Sequence, residues 1–287
     1  MTAAVTAPTV ARSARDLAAA LEPVRAAGGT VVLAPTMGAL HQGHASLLRL
    51  ARGYGDALVA SIFVNPLQFA PGEDLDRYPR ALDADLELCA AAGVDAVFAP
   101  DTEQIYPGGE PVVTIDPGPL GRQLEGAVRP SHFRGVLTVV AKLFGLVRPD
   151  TAVFGQKDYQ QLVLIEQMVR DLAFGVRVVG GETVRESDGL ALSSRNRYLG
   201  AEDRVRARAL SQALYAGAAA GADGPEAVLA AASAVLSATP EVRIDYLALR
   251  APDLGPAPPA GDARLLVAGR VGGTRLIDNL PVPLGNR

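Results

Sequence analysis

The sequence predicts an α/β fold, with a parallel sheet covered by helices, followed by a smaller α+β unit. Up to about residue 183, short runs that are almost wholly apolar alternate with longer helix-like runs. Such apolar strands are typical of parallel sheets that are buried on both faces. Beyond that point the chain becomes polar and turn-rich, then alanine-rich, then strand-like. We therefore predict one domain at residues 1–183 and a second at residues 184–287.

Composition argues against several classes of protein. Of the 287 residues, 49% are hydrophobic and 20% are charged, and the net charge of -4 gives no overall basic surface for nucleic acid. No run reaches the roughly 20 apolar residues that a membrane helix needs. Residues 1–12 lack a signal-peptide pattern and are expected to form a loose tail. The single cysteine, Cys89, is expected in the core, and a cytoplasmic protein is expected.

Apolar runs and helical spacing locate the elements of the first domain in chain order. The predicted strands are 30–35, 56–64, 95–99, 151–155 and 176–180, and the predicted helices are 43–53, 81–92, 135–147 and 158–172. In such sheets ligands bind outside the carboxyl ends of the strands. Polar residues that directly follow a strand are therefore the candidates for a site.

The second domain is predicted to contain two helices and an antiparallel sheet. The helices are 201–219 and 224–238, where leucines 210, 214, 229 and 236 favour packed helices over a low-complexity segment. Strand-like runs follow, with a hairpin expected at Gly272-Gly273.

The stretch from Met37 to His44 follows the strand 30–35 and holds two of the three histidines, in the pattern H-x-G-H. The first N–H groups of the following helix have no partner inside it and carry partial positive charge, which suits a phosphate. Gly43 has no side chain and allows the backbone to approach a ligand closely. The pattern predicts a cradle for a nucleoside triphosphate. A surface histidine pair without a role is the alternative, and a metal site is disfavoured because His132 and Cys89 are the only other soft ligands.

Two further polar groups follow predicted strands. Asn65 and Gln68, in "FVNPLQF", are neutral amides that can hold a small polar substrate, although a polar turn is the more common explanation in isolation. In "FGQKDYQQL", Lys157 brings a mobile positive charge, Asp158 suits either a helix N-cap or a magnesium shell, and Gln161 lies one helical turn beyond Lys157.

Arginine and hydroxyl side chains supply two further candidate features. In "LSSRN", Ser193 and Ser194 precede Arg195, a combination that can bind anions. Upstream, Arg129, His132 and Arg134 form a local basic cluster, and the role of His132 stays open.

Taken together, six ordered blocks resemble the pantothenate synthetase (pantoate–β-alanine ligase) family. The resemblance runs from about residue 13 to residue 282 and rests on "PTMGALHQGH", "SIFVNPLQF", "GEDLDRYPR", "RPSHFRGVLTVV", "FGQKDYQQL" and "LSSRNRYL". It implies a Rossmann-like domain with an HxGH nucleotide site, a smaller lid domain and a homodimer. It also implies an AMP-forming ligase, in which ATP activates pantoate as pantoyl adenylate and β-alanine then displaces AMP to give pantothenate.

The resemblance assigns roles residue by residue. His44, His41, Lys157 and Arg195 are implied to be catalytic, with His44 as proton donor, and Gln68, Gln161 and Asn65 are implied to bind pantoate or β-alanine. Magnesium is implied to arrive with ATP, near Asp85 or Asp158, without a fixed protein site. The implied ATP contacts are Met37, Gly38, Ala39, Leu40, His41, Gln42, Gly43, His44, Gly155, Gln156, Lys157, Asp158, Val184, Leu192, Ser193, Ser194 and Arg195.

The chain departs from the family pattern in two places. Gln156 stands where glutamate is common, and Leu192 stands where methionine is common. Residues 70–80 carry glycine, prolines and charges after a strand and are expected to form a movable gate. The alternatives are another HxGH nucleotidylyltransferase, an aminoacyl-tRNA synthetase or a non-catalytic nucleotide sensor. The presence of Lys157 and Arg195 argues against the sensor.

Overall fold

The computed structural model describes residues 7–285 of the chain. These residues fold into two compact units. The N-terminal unit runs to Gln156 and resumes at Leu164–Glu182, and the C-terminal unit comprises Lys157–Val163 and the chain from Thr183 onward. The short segment Lys157–Val163 thus belongs with residues that follow it by 20 positions or more. No helix within residues 7–285 has both the length and the apolar character needed to cross a membrane.

The N-terminal unit is built on a parallel sheet that has six strands within the described residues, in the order β1-β4-β3-β2-β5-β6. The strands are β1 (Thr9–Ala11), β2 (Val31–Thr36), β3 (Ala57–Ile62), β4 (Ala96–Phe98), β5 (Thr151–Gly155) and β6 (Arg177–Gly181). The helices are α1 (Ala14–Ala26), α2 (Gln42–Arg52), α3 (Leu82–Ala91), α4 (Thr102–Ile105), α5 (Glu125–Val128), α6 (His132–Val147) and α7 (Tyr159–Asp171), the last of which begins within the segment that belongs to the other unit.

The predicted parallel sheet is confirmed, and each predicted strand is present within one or two residues of its expected bounds. The exception lies at the N-terminus, where the prediction of a loose tail is wrong for Thr9–Ala11. These residues form β1, which pairs in parallel with β4 at the sheet edge, and Ala11 is fully buried. A run of three residues is too short to show the periodicity by which strands are predicted. The strand forms because its backbone pairs with β4.

The strand order reverses between β2 and β5. From β2 the chain continues to β3 and β4 on one side, whereas β5 and β6 lie on the other side. A parallel sheet opens a crevice at such a reversal, outside the carboxyl ends of the two strands. The loops that begin at Met37 and at Gln156 leave the sheet at these ends.

The core beside β2 is closely packed and includes Cys89, as predicted. The buried residues Val32, Leu48, Leu58 and Val97 belong to the same hydrophobic cluster as this cysteine. Burial raises the pKa of the Cys89 thiol to about 12, so the side chain is a neutral apolar group at physiological pH.

The C-terminal unit is the predicted α+β arrangement. It contains α8 (Ala201–Ala219), α9 (Pro225–Ser237) and the antiparallel order β7-β8-β9. The strands are β7 (Val242–Arg250), β8 (Gly261–Val271) and β9 (Thr274–Leu284). The predicted hairpin at Gly272-Gly273 joins β8 to β9, and of its two central residues only Gly272 has positive φ, at +55°, the pattern of a type II′ turn. The leucines of both helices contribute to the core above this sheet.

Candidate active site

A single buried carboxylate holds the loop that follows β2. Asp85, in the first turn of α3, is 2% exposed and accepts hydrogen bonds from Ala39 N (3.0 Å) and Leu40 N (2.6 Å). Gly38 and Ala39 both have positive φ, at +80° and +51°. A Cβ at Gly38 would lie 3.0 Å from Asp85 Oδ2, so glycine suits this position both in conformation and in space. These contacts support an anchoring role for Asp85.

The two histidines cap the helix that follows the loop. His41 is the N-cap of α2, and its Nδ1 accepts a hydrogen bond from Gly43 N at 3.1 Å. His44 Nδ1 accepts from His41 N at 3.3 Å, and the two ring centroids are 4.1 Å apart. Because a main-chain N–H can only donate, both Nδ1 atoms are unprotonated, and in a neutral ring the proton sits on Nε2. The geometry therefore presents two neutral imidazoles whose Nε2–H groups are hydrogen-bond donors.

Neutral side chains hold Gln68 after β3. Asn65, 1% exposed, donates from Nδ2 to Gln68 Oε1 and to Gly135 O, both at 3.1 Å. Its Oδ1 accepts from Leu67 N (3.3 Å) and from the Tyr106 hydroxyl (2.9 Å). Burial raises the pKa of Tyr106, which keeps that hydroxyl a donor. The amide of Asn65 thus uses both donors and both acceptor directions inside the protein, which supports a role in positioning Gln68 more than direct contact with a substrate.

The side chain of Gln68 also contacts the HxGH loop. Its Nε2 donates to Met37 Sδ at 3.0 Å, and the residue is 8% exposed. Behind it, α6 approaches the main chain so closely that a Cβ on Gly135 would lie 2.3 Å from Leu67 O. The structure therefore brings Met37, Asn65 and Gln68 together by contacts between segments that are separate in the sequence.

Gln156, one of the two departures from the family pattern, forms a hydrogen bond with the neighbouring strand β6. Its Nε2 donates to Gly180 O of β6 at 3.3 Å, within the N-terminal unit. A glutamate could not donate this bond at neutral pH. The amide at this position therefore suits the local structure, whatever it contributes to nucleotide binding.

In the C-terminal unit, the main chain at Lys157 is tied to β9. Asn279, 3% exposed, donates from Nδ2 to Lys157 O at 2.9 Å. Asn279 Oδ1 accepts from Arg264, whose guanidinium lies over the Tyr159 ring at 4.0 Å from the centroid. Asp158 is exposed and Gln161 is partly buried.

Charged side chains organise residues 184–196, which we call the clamp segment. Arg185 forms a two-pronged ion pair with Asp278 of β9, at 2.6 and 2.9 Å, and Asp278 is 4% exposed. Farther along, Asn196 Nδ2 donates to Glu186 at 2.8 Å, and Arg204 of α8 pairs with both Glu186 (2.7 Å) and Asp188 (3.0 Å). The hydrogen bond from Arg204 is the main reason that the pKa of Glu186 lies below its usual value.

Within the clamp segment, Leu192 and Ser193 also form local hydrogen bonds. Leu192 N donates to Val184 O at 2.9 Å, so the second departure occupies a backbone-paired position. The Ser193 hydroxyl accepts from Arg195 N at 3.3 Å and caps the short 3-10 helix Ser194–Tyr198. Ser193, Ser194 and Arg195 are predictable from the sequence as anion-binding candidates, whereas the ion pairs around them are not. A weak signal was present, because Asp278 and Asn279 interrupt the otherwise apolar run 276–284.

No three or more His, Cys, Asp or Glu side chains gather into a group that could hold a metal ion, as far as the described residues extend.

Comparison with known proteins gives one consistent result. The family model described as pantoate-beta-alanine ligase matches residues 9–281. A pantothenate synthetase from Nocardioides sp. strain JS614 is 62% identical over 98% of this chain and 87% of its own length. One from Nocardia farcinica is also 62% identical, over 96% of this chain and 87% of its own length.

Solved structures agree in fold. The crystal structure of pantothenate synthetase from Thermus thermophilus is 50% identical, with a TM-score of 0.89, over 95% of this chain and 98% of that one. Pantoate-beta-alanine ligase from Francisella tularensis, solved with beta-gamma ATP and beta-alanine, is 32% identical, with a TM-score of 0.78, over 96% of this chain and 97% of that one.

Proposed function

The chain belongs to the pantoate–β-alanine ligase family, and we propose that it joins pantoate to β-alanine with ATP and forms AMP, pyrophosphate and pantothenate. The observation that carries the chemistry is the loop after β2. There, Asp85 anchors the loop through two main-chain amides, and the Nε2–H donors of two neutral imidazoles lie at the start of α2. Such donors suit the phosphates of ATP because they add positive potential without a buried cation.

In the first step, a carboxylate oxygen of pantoate attacks the α-phosphorus, and the bond from that phosphorus to pyrophosphate breaks. The pantoate carboxylate is ionised at neutral pH, so the attack needs no general base. The difficulty is that an anion must approach a polyanion. Donors placed around the phosphates reduce that repulsion and stabilise the charge that builds up on the leaving group. We assign this role to His41 and His44, and the resemblance adds Lys157 and Arg195.

Gln68 is the proposed contact for pantoate. Its orientation is set by Asn65 and Met37 before any ligand arrives, which reduces the entropy lost on binding. Gln161 is assigned the same ligand by resemblance. Asn65 acts through Gln68 in this proposal.

In the second step, the nitrogen of β-alanine attacks the acyl carbon of pantoyl adenylate, the bond from that carbon to the AMP oxygen breaks, and the nitrogen loses a proton to water. The amine must be neutral to attack. Placing it next to a reactive mixed anhydride supplies most of the acceleration in this proposal, because proximity converts a bimolecular reaction into an intramolecular one.

ATP is proposed to arrive as its magnesium complex, with Asp158 a candidate for contact with the ion and with no step assigned to the metal. The family resemblance also supports a homodimer in the cytoplasm.

The test is pyrophosphate release from ATP and Mg²⁺ in the presence of pantoate, measured with and without β-alanine, followed by detection of pantothenate and AMP. We expect pantoate-dependent pyrophosphate, with pantothenate formed only when β-alanine is added. Pyrophosphate without pantothenate would retain the adenylation step and reject β-alanine as the second substrate. No pantoate-dependent release from folded protein that binds ATP would favour the nucleotide sensor.

A further inference from the structure

Two side chains of the basic cluster at residues 129–134, Arg129 and His132, lie beside the main-chain carbonyl of Gln68. Arg129 Nη2 donates to this oxygen at 3.1 Å, and His132 Nδ1 lies 2.9 Å from it. Gln68 itself is almost fully buried. A carbonyl that receives a guanidinium and an imidazole at these distances is held firmly in orientation, and the side chain that leaves the same residue is held with it.

Arg129 also binds Glu73, which lies in the expected gate at residues 70–80. Arg129 Nε donates to Glu73 Oε1 and Nη2 donates to Oε2, both at 2.7 Å. The two side chains are only 14% and 24% exposed. Burial works against ionisation of Glu73, but the hydrogen bond and charge of Arg129 outweigh it and keep the pKa of that carboxyl below its usual value.

One guanidinium therefore connects two segments that follow β3. Its fork satisfies Glu73 with two parallel bonds while one of its nitrogens also reaches Gln68 O, a geometry that lysine cannot reproduce. The third acceptor belongs to the residue proposed to bind pantoate.

We propose that Arg129 is a positioning residue for the pantoate-binding amide of Gln68, and that its ion pair with Glu73 restrains segment 70–80 beside that residue. The inference rests on the proposed function, because it takes Gln68 as a pantoate contact. Arg129 acts through Gln68 and does not itself touch the substrate. Its loss affects pantoate more than ATP.

The experiment measures KM for pantoate and for ATP, together with kcat, in the pyrophosphate assay. We expect Arg129→Met to raise the pantoate KM about tenfold, the effect of losing one charge-assisted hydrogen bond, and to leave the ATP KM unchanged. Arg134→Met is the matched control. It changes the same residue type five positions away, where Arg134 forms an exposed ion pair with Glu110, and we expect wild-type kinetics.

Two further variants separate positioning from stability. Arg129→Met combined with Glu73→Gln removes the unpaired carboxylate that the single change leaves behind. If the pair were only structural, this double variant would recover the wild-type pantoate KM; we expect it to remain raised. Arg129→Lys keeps the charge beside Glu73 and guards against a folding failure, and we expect an intermediate rise in pantoate KM.

The restraint on the gate is tested separately with Glu73→Gln, which leaves the bond from Arg129 to Gln68 in place. We expect faster trypsin cleavage after Arg77 than in wild type and in the matched Glu110→Gln control. Equal cleavage rates would overturn the restraint.

Gln68→Ala distinguishes failure of this inference from failure of the proposed function. If Gln68→Ala raises the pantoate KM while Arg129→Lys and the double variant have wild-type values, the positioning role of Arg129 is wrong and the function stands. If Gln68→Ala itself leaves the pantoate KM unchanged, the assignment of Gln68 is wrong, and with it the basis of the inference.

Discussion

The HxGH loop (Met37 to His44) and the clamp segment (residues 184–196) hold polar residues on irregular backbone by different physical means. In the loop, the buried carboxylate of Asp85 binds two main-chain amides, and neutral imidazoles cap the helix. In the clamp segment, side-chain ion pairs hold the backbone in place. Arg185 pairs with Asp278, and Arg204 pairs with Glu186.

The difference teaches which perturbations each region should resist. Short hydrogen bonds to main-chain amides in a buried site respond weakly to salt, but they depend on shape, as the space at Gly38 illustrates. Ion pairs tolerate small displacements, and when partly exposed they weaken with salt and with acid. Among these ion pairs, loss of one partner should destabilise the protein most at Arg185 and Asp278, which are the most deeply buried.

Arg185→Met tests the charged support of the clamp segment where it is most buried. The change leaves the Asp278 carboxylate without its guanidinium, and we expect the free energy of unfolding to fall by about 3–5 kcal/mol. Urea denaturation followed by circular dichroism measures the effect. Arg197→Met, at an exposed position of the same region, is the control and should be neutral. A loss no larger than the control's would mean that charge does not organise the segment.

His44→Ala tests the neutral donors of the loop. We expect turnover in the pyrophosphate assay to fall by about 10²–10³, as when an oxyanion-hole donor is removed. Arg49→Ala, exposed on the same helix, should retain wild-type turnover. Near-normal turnover of His44→Ala would remove this histidine from the mechanism.

Asp85→Asn tests the anchoring of the loop. The amide has one acceptor oxygen, and its NH₂ would face one of the two main-chain donors. We expect a loss of about 2–3 kcal/mol in the free energy of unfolding, with little dependence on salt. Asp83→Asn removes the same charge from the same turn of α3 at an exposed position, and it should have little effect. A similar loss in both variants would show that the charge near the helix start, and not the two amides, is responsible.

Arg204→Met has the smallest expected effect on the free energy of unfolding. It tests whether the ion pairs of the clamp segment depend on salt and pH, unlike the hydrogen bonds of the HxGH loop. Because the side chains of Arg204, Glu186 and Asp188 are each 25% to 33% exposed, we expect a loss of about 1 kcal/mol or less at low salt, and a smaller loss at high salt. The folded pKa of Glu186 is lowered, so its contribution is present at neutral pH. It should disappear as the pH falls through that lowered pKa, and the two proteins should then be equally stable. A difference that persists in acid or in high salt would contradict the electrostatic explanation.

Much of the fold was predictable because its signals are local. Apolar runs such as Val31–Thr36 and Thr151–Gly155 indicated buried strands, and glycines at 272 and 273 indicated the hairpin. β1 was missed because three residues carry no periodicity. The placement of Lys157–Val163 in the C-terminal unit also had no sequence signal, since it depends on contacts with residues far along the chain.

By itself, the sequence determined the order and type of most of the elements, the family and the residue types at the candidate site. His41 and His44 are three positions apart, so their capping contact is set by the helix that joins them. Only the tertiary structure decided which distant residue supports each site residue. Asp85 meets the amide of Ala39 across 46 positions, and Arg185 meets Asp278 across 93. Residue spacing reports neighbours along one helix or strand, whereas these partners are brought together by packing of the whole unit, which no local pattern encodes.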